Sequence, residues 1–156
     1  MASHLKIGRI IGALLLLQVA VGILLNFVFT APLFGEPGFL INAAPHATQI
    51  AQSVLLSIAM GLVSLTIACM LYPLFKTYSQ PLAMFYFALV TAGFALTVAE
   101  NISMMSMLSL SKAYAEYGAT QESLYQGLRI VVKETRNWTH YLSLNVSGVT
   151  IFTFYL

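Results

Sequence analysis

The sequence predicts an all-α fold, a polytopic transmembrane helix bundle, and three observations carry that prediction. Of 156 residues, 59% are hydrophobic and 8% charged, against roughly 25% charged in an ordinary soluble domain. The apolar residues gather in four long runs, while the connecting segments hold most of the charge. A soluble chain of this length could not hide so much apolar surface in one core. In lipid each segment must satisfy its own backbone hydrogen bonds, which selects helices.

Composition also excludes other classes. The net charge of +2 is dispersed along the chain, and nucleic-acid binding needs a clustered basic face. The five acidic residues are all Glu, and the single Cys69 rules out an intramolecular disulfide.

The first span is predicted over residues 10–30, after His4, Lys6 and Arg9. It is longer than the apolar core of roughly 7–15 residues in a signal peptide, and no A-x-A site follows, so it is read as a retained helix. Gly8 and Gly12 have the G-x-x-x-G spacing that permits close helix approach. Gln18, Gly22 and Asn26 recur every fourth residue and share a face that should look into protein. Residues 31–47 contain Pro32, Pro37 and Pro45 with Gly35 and Gly38, which forbid one continuous helix. This segment carries Glu36 and His46, and its Phe34, Phe39, Leu40 and Ile41 suit a connection that lies on the membrane surface or caps the bundle.

The second span, residues 48–72, has no charge. Ser53, Ser57, Gly61, Ser64 and Ala68 lie along one face, expected as a packing seam, with a polar permeation surface as the alternative. Residues 73–81 form a short turn with Lys76 between two prolines. The third span, residues 82–110, holds one charged side chain, Glu100. An ionised acid near the bilayer centre costs about 2.5–3.5 kcal/mol on insertion scales, so something must offset it. Gly93, Thr97, Glu100, Met104 and Met107 share its face, and Asn101 borders it. With no Cys or His close in sequence, Met104, Met105 and Met107 are expected to pack rather than to bind a soft metal.

Lys112, Glu116, Glu122, Arg129, Lys133, Glu134 and Arg136 crowd the next segment. An amphipathic interfacial helix is expected over residues 120–136, with Thr120 as N-cap and Glu122 in the first turn. It either lies in the interface or leads straight into a fourth span, residues 138–156, which opens on the interfacial anchor Trp138. That span carries His140, Asn145 and the Ser143, Ser147, Thr150 stripe, and no polar tail closes it, as expected of a chain cut short.

The stretches PLFKTYSQPLAMFYFAL, AENISMMSML and, most specifically, RNWTHYL within RNWTHYLSLNVSGVTIFTFYL resemble the bacterial family known as DUF4386, a domain of unknown function. The resemblance runs from about Arg9 to the last residue. It implies about six membrane helices in the complete protein, with a short basic loop and further helices after this chain ends. It brings no substrate, cofactor or catalytic residue with it.

Lys6, Arg9 and Lys76 fall on one side of the membrane and Lys112, Arg129, Lys133 and Arg136 on the other if every segment spans. The count is nearly even. The basic loop implied by the family tips the expectation to a cytoplasmic N-terminus in a bacterial inner membrane.

Glu100 is the leading functional candidate, because ionisable residues within a membrane mark ion pathways or binding sites. Adjacent spans run antiparallel, so His140 can match its depth, with Arg136 one turn away. Gln18, Asn26, Asn101 and Asn145 complete the set of ligand or proton-coupling candidates. The expected function is binding or transport of a small molecule or ion through a polar interior around Glu100. A structural or interaction subunit is the alternative. A membrane enzyme is the weakest case, because Ser103 and Ser143 stand in no catalytic motif and no catalytic residue is named. His46 and His140 as haem ligands find no support in any attachment motif, so no cofactor and no metal are expected. The expected partners are the lipid bilayer and a small ligand, with a homo-oligomer left open and nucleic acid excluded.

Overall fold

The computed structural model describes residues 2–155, and Leu156, the end of the expected fourth span, lies outside them, as does the side chain of His4. Helices follow one another throughout, and no strand occurs among the described residues. Among the described residues, three helical stretches are long and apolar enough to cross a membrane: Leu5–Phe34, Ala47–Lys76 and Gln80–Tyr117. A lipid bilayer is the environment these stretches suggest.

Helix α1 (Ala2–Ile23) passes into a π-helical run, Leu24–Thr30, and then into the short α2 (Ala31–Phe34). The first column therefore continues past residue 30, where the sequence suggested a stop. Pro32 sits in the first turn of α2, where its missing N–H is not needed. The wider π turns leave carbonyls to satisfy, and Gln49 Nε2 donates to the carbonyls of Val28 and Phe29 at 2.9 and 3.1 Å.

Residues 35–46 turn sharply around α3 (Phe39–Asn42). Gly38 has φ of 110°, a conformation that a side chain would strain. Asn42 Nδ2 donates to the carbonyls of Pro32 and Gly35 and closes the turn. Leu33, Phe39 and Ala43 are buried with Ile50, Met104, Met107 and Leu108, so this segment caps one end of the bundle. Ser111 is fully buried and clasps the cap: its Oγ donates to the Leu40 carbonyl at 2.9 Å and accepts from Ala44 N–H at 2.8 Å.

Helix α4 (Ala47–Lys76) runs through Pro73, three residues before its end. The turn expected over 73–81 is thereby shortened to Thr77–Ser79, and the Ser79 hydroxyl caps α5 (Gln80–Tyr117) by accepting from Leu82 N–H. Helices α4 and α5 pack along their length, α5 and α6 do the same, and α1 lies against α4. Gly61 lets α4 approach α5 closely, since a Cβ there would run into the Phe94 ring. Gly8 and Gly12, by contrast, have no described atom within 4 Å of where a Cβ would sit, so their spacing builds no seam here.

Helix α6 (Glu122–Phe154) is continuous, so residues 120–136 and 138–156 fall largely on one helix. Thr120 is not its N-cap. It belongs to a 3₁₀ turn, Gly118–Thr120, and donates to the Tyr117 carbonyl, while Gln121 opens α6 without a side-chain cap. A second core, Ile11, Ile67, Ala68, Leu71, Tyr86 and Val90, closes the other end of the bundle. Phe75, Tyr86 and Phe154 meet edge-on beside it. Among the described residues, a small cavity borders the first core and a larger one borders the second.

Candidate functional site

The first cavity, about 140 Å³, surrounds Glu100. Helix α5 supplies Glu100, Asn101 and Met104, α6 supplies Arg136 and His140, α4 supplies Ser53 and Ser57, and the π turn supplies Leu25, Asn26 and Thr30. Arg136 and His140 are four residues apart, so they share one face of α6 and reach the same carboxylate. Arg136 Nη2 stands 3.0 Å from Glu100 Oε1 and His140 Nδ1 stands 3.1 Å from the same oxygen. The side chains of Arg136 and Glu100 are 14% and 22% exposed, so the pair is mostly withdrawn from the surroundings.

With the carboxylate as acceptor, His140 Nδ1 carries the hydrogen and its Nε2 is the atom open to a second proton. Arg136 Nε is buried and has no hydrogen-bond partner among the described residues. The guanidinium lies over the Phe34 ring with its carbon 5.1 Å from the ring centre, which ties the cap to the site by a cation–π contact. Asn101 Nδ2 donates to Ser57 Oγ at 3.1 Å and to the Thr97 carbonyl, which fixes α4 against α5 at the cavity wall.

The second cavity, about 340 Å³, lies between α1, α4, α5 and α6. Gln18, Ser64, Thr97, Ser143, Ser147 and Thr150 give it a polar lining without a formal charge. Most of that polarity is already used. Gln18 Nε2 donates to the Met60 carbonyl and to Ser64 Oγ, Ser64 donates to Met60, Thr97 to Gly93 and Thr150 to Val146.

Of the residues proposed from sequence, Glu100, His140, Arg136, Asn101 and Asn26 line one cavity. Gln18 lies in the other. It is eight residues from Asn26, or about 12 Å along a helix at ~1.5 Å per residue. Asn145 is exposed and donates to the Tyr141 carbonyl of its own helix. Five positions from His140 turn a residue about 140° off its face at ~100° per residue, a signal the sequence already contained. Ser53, Ser57 and Thr30 join the site although the sequence reading did not place them there. The first two belong to the small-residue stripe of α4, whose lower members Gly61 and Ser64 line the larger cavity, so the stripe borders internal space as well as packing.

Among the described residues no group of three or more His, Cys, Asp or Glu could hold a metal. Met104 and Met107 are core residues. Ser103 donates back to the Ala99 carbonyl, and neither it nor Ser143 lines the Glu100 cavity.

A family of this description matches nearly the whole chain, over residues 10–156. The chain belongs to the DUF4386 family, a domain of unknown function. No curated protein and no solved structure matches it. The DUF4386 chain therefore rests on its own geometry for a functional reading.

Proposed function

We propose that this DUF4386 protein binds a small molecule or ion at the Glu100 cavity and serves its passage across a bacterial inner membrane. The observation that carries this reading is the concentration of ionisable groups at one internal space. Glu100, Arg136 and His140 meet beside a cavity of about 140 Å³, although the chain has only 8% charged residues. Burying charge is costly, and three ionisable groups gathered beside an internal cavity are retained where they do something a packed apolar contact would not.

The second half of α6 acts as a fourth span in this reading. Leu142, Leu144, Val149, Ile151 and Phe152 are apolar and exposed, as lipid-facing positions should be, and Trp138 stands where an interfacial anchor belongs. In this reading the N-terminus lies in the cytoplasm. Engagement of Arg136 by Glu100 removes one cation from the opposing count.

A thermal-shift screen of small solutes on the purified protein, run at several pH values, tests the reading. A solute that raises the Tm of the natural protein, by an amount that changes in a folded Glu100→Gln variant, supports it. If no solute shifts the Tm and Glu100→Gln only lowers stability, the charge cluster is a structural staple between α5 and α6, and the protein is an interaction or structural subunit.

A further inference from the structure

We infer that the Glu100 cavity takes a small monoanion, such as a short carboxylate, together with one proton held on His140. The inference rests on the proposed binding role and names its ligand class. The Arg136 and His140 contacts both fall on a single oxygen, Glu100 Oε1, while Arg136 Nε, a buried N–H donor on a side chain that lines the cavity, has no acceptor among the described residues. A buried donor without an acceptor costs about 1–3 kcal/mol, more when it is charged. An anionic oxygen is the strongest acceptor a guanidinium can be offered, and a carboxylate matches its planar fork.

Charge balance supplies the proton. Arg136 and Glu100 cancel, so with a single hydrogen on the His140 ring the site is neutral overall. An anion entering alone would leave a net negative charge in a site mostly withdrawn from the surroundings, which is expensive. A proton on His140 Nε2 restores neutrality without breaking the Nδ1 contact to Glu100. Among the described residues that line the cavity, Glu100, Arg136 and His140 are the ionisable ones. Helix α5 presents Glu100 alone, and α6 presents Arg136 and, with ring centres 6.4 Å apart, Tyr141. The π turn and α4 contribute only amide and hydroxyl groups, those of Asn26, Thr30, Ser53 and Ser57. A cation would meet Arg136 while the carboxylate is already engaged. The Thr30 and Ser57 hydroxyls can complete the shell of a carboxylate of a few carbons, while Ser53 and Asn26 already donate to Ile50 and Gly22.

Calorimetric titration of the purified protein in lipid nanodiscs tests this with three probes of similar size: acetate, its neutral isostere acetamide, and ethylammonium. Acetate is expected to bind selectively. Its affinity should fall about tenfold for each pH unit over the range where His140 is neutral, with one proton taken up per acetate, read from buffers of different ionisation enthalpy. His140→Gln, which cannot take up that proton, should bind acetate weakly and without the pH slope. Arg136→Lys keeps the charge but not the fork, and should weaken acetate at least tenfold at a Tm near that of the natural protein. Asn145→Ala, outside the cavity, should leave both unchanged. Acetamide or ethylammonium binding as tightly as acetate overturns the anion class and leaves the binding role standing. Acetate binding without proton uptake, or with an unchanged slope in His140→Gln, overturns the coupling to His140. If none of the three probes binds, the inference fails. If the solute screen is blank as well, the proposed function fails with it.

Discussion

The two cavities share walls and differ in what those walls still need. One face of α4 borders both, with Ser53 and Ser57 at the charged cavity and Gly61 and Ser64 at the hydroxyl-lined one. The larger space, about 340 Å³ against 140 Å³, is the less demanding. Thr97, Ser64 and Thr150 donate to carbonyls of their own helices, and Gln18 is held by α4. The smaller space holds a shared carboxylate oxygen and a guanidinium N–H without an acceptor. In this bundle unmet hydrogen bonding, rather than volume, marks the candidate site. Asn26, Ser53 and Asn101 of the smaller cavity are engaged in the same way as the polar residues of the larger one, and Arg136 Nε is what sets the smaller space apart.

The largest expected effect falls on the charged side of this comparison. Arg136→Met leaves Glu100 withdrawn from water without its cation and should lower unfolding stability by about 3–5 kcal/mol, read by denaturant titration in mild detergent. Adding Glu100→Gln to it should recover a large part of that loss, because the stranded charge is then gone. Strict additivity of the two changes would show that the groups do not interact and would erase the contrast between the cavities.

Next come the contacts that shape both spaces. Ser111→Ala removes the clasp on the cap and leaves the Ala44 N–H and the Leu40 carbonyl unsatisfied, for about 1–3 kcal/mol. It should also loosen Phe34 over Arg136, seen as faster hydrogen exchange in residues 31–46. Gly61→Ala drives a methyl into the Phe94 ring and should cost about 1–3 kcal/mol by overpacking. If Gly61→Ala is neutral, the α4–α5 approach is looser than the close contact implies.

The hydroxyl cavity should be forgiving. Thr150→Val and Ser143→Ala are each expected to change stability by no more than about 0.5 kcal/mol, and a drop comparable to that of Arg136→Met would equate the two cavities.

The smallest effect lies outside the spans. Gln126 Nε2 and the Tyr114 hydroxyl both donate to Glu122 and hold its pKa below the ordinary carboxylate value. A carboxylate depressed in the folded state contributes stability above its unfolded pKa and loses it as pH falls through the folded one. Stability should therefore fall slightly on acidification through the carboxylate range, and Glu122→Gln should flatten that part of the pH profile. The group is fully exposed, so the change is small.

Much of this was legible in the chain itself. The helices follow from apolar runs and from the need to close backbone hydrogen bonds in lipid. The meeting of Glu100 with Arg136 and His140 was foreseeable, because short connections force antiparallel neighbours and a four-residue spacing puts two groups on one face. Helical phase also separates Asn145 from His140, although composition alone had grouped them. These are local regularities, set by sterics and hydrogen bonds over a few residues.

Other features depended on which helix faces meet. The π turn at Leu24–Thr30 is stabilised by Gln49 from another helix, so no pattern within 10–30 announces it. The cap over residues 31–46 is held by Ser111, 71 positions from Leu40, and Asn101 finds Ser57 across 44. Whether a serine on α4 seals a seam or borders a cavity depends on what stands opposite. At Gly61 that is the Phe94 ring, and at Ser57 it is the Glu100 site. Periodicity along a chain assigns a residue to a face; only the crossing of distant helices decides how much room that face is left and which of its donors go unanswered.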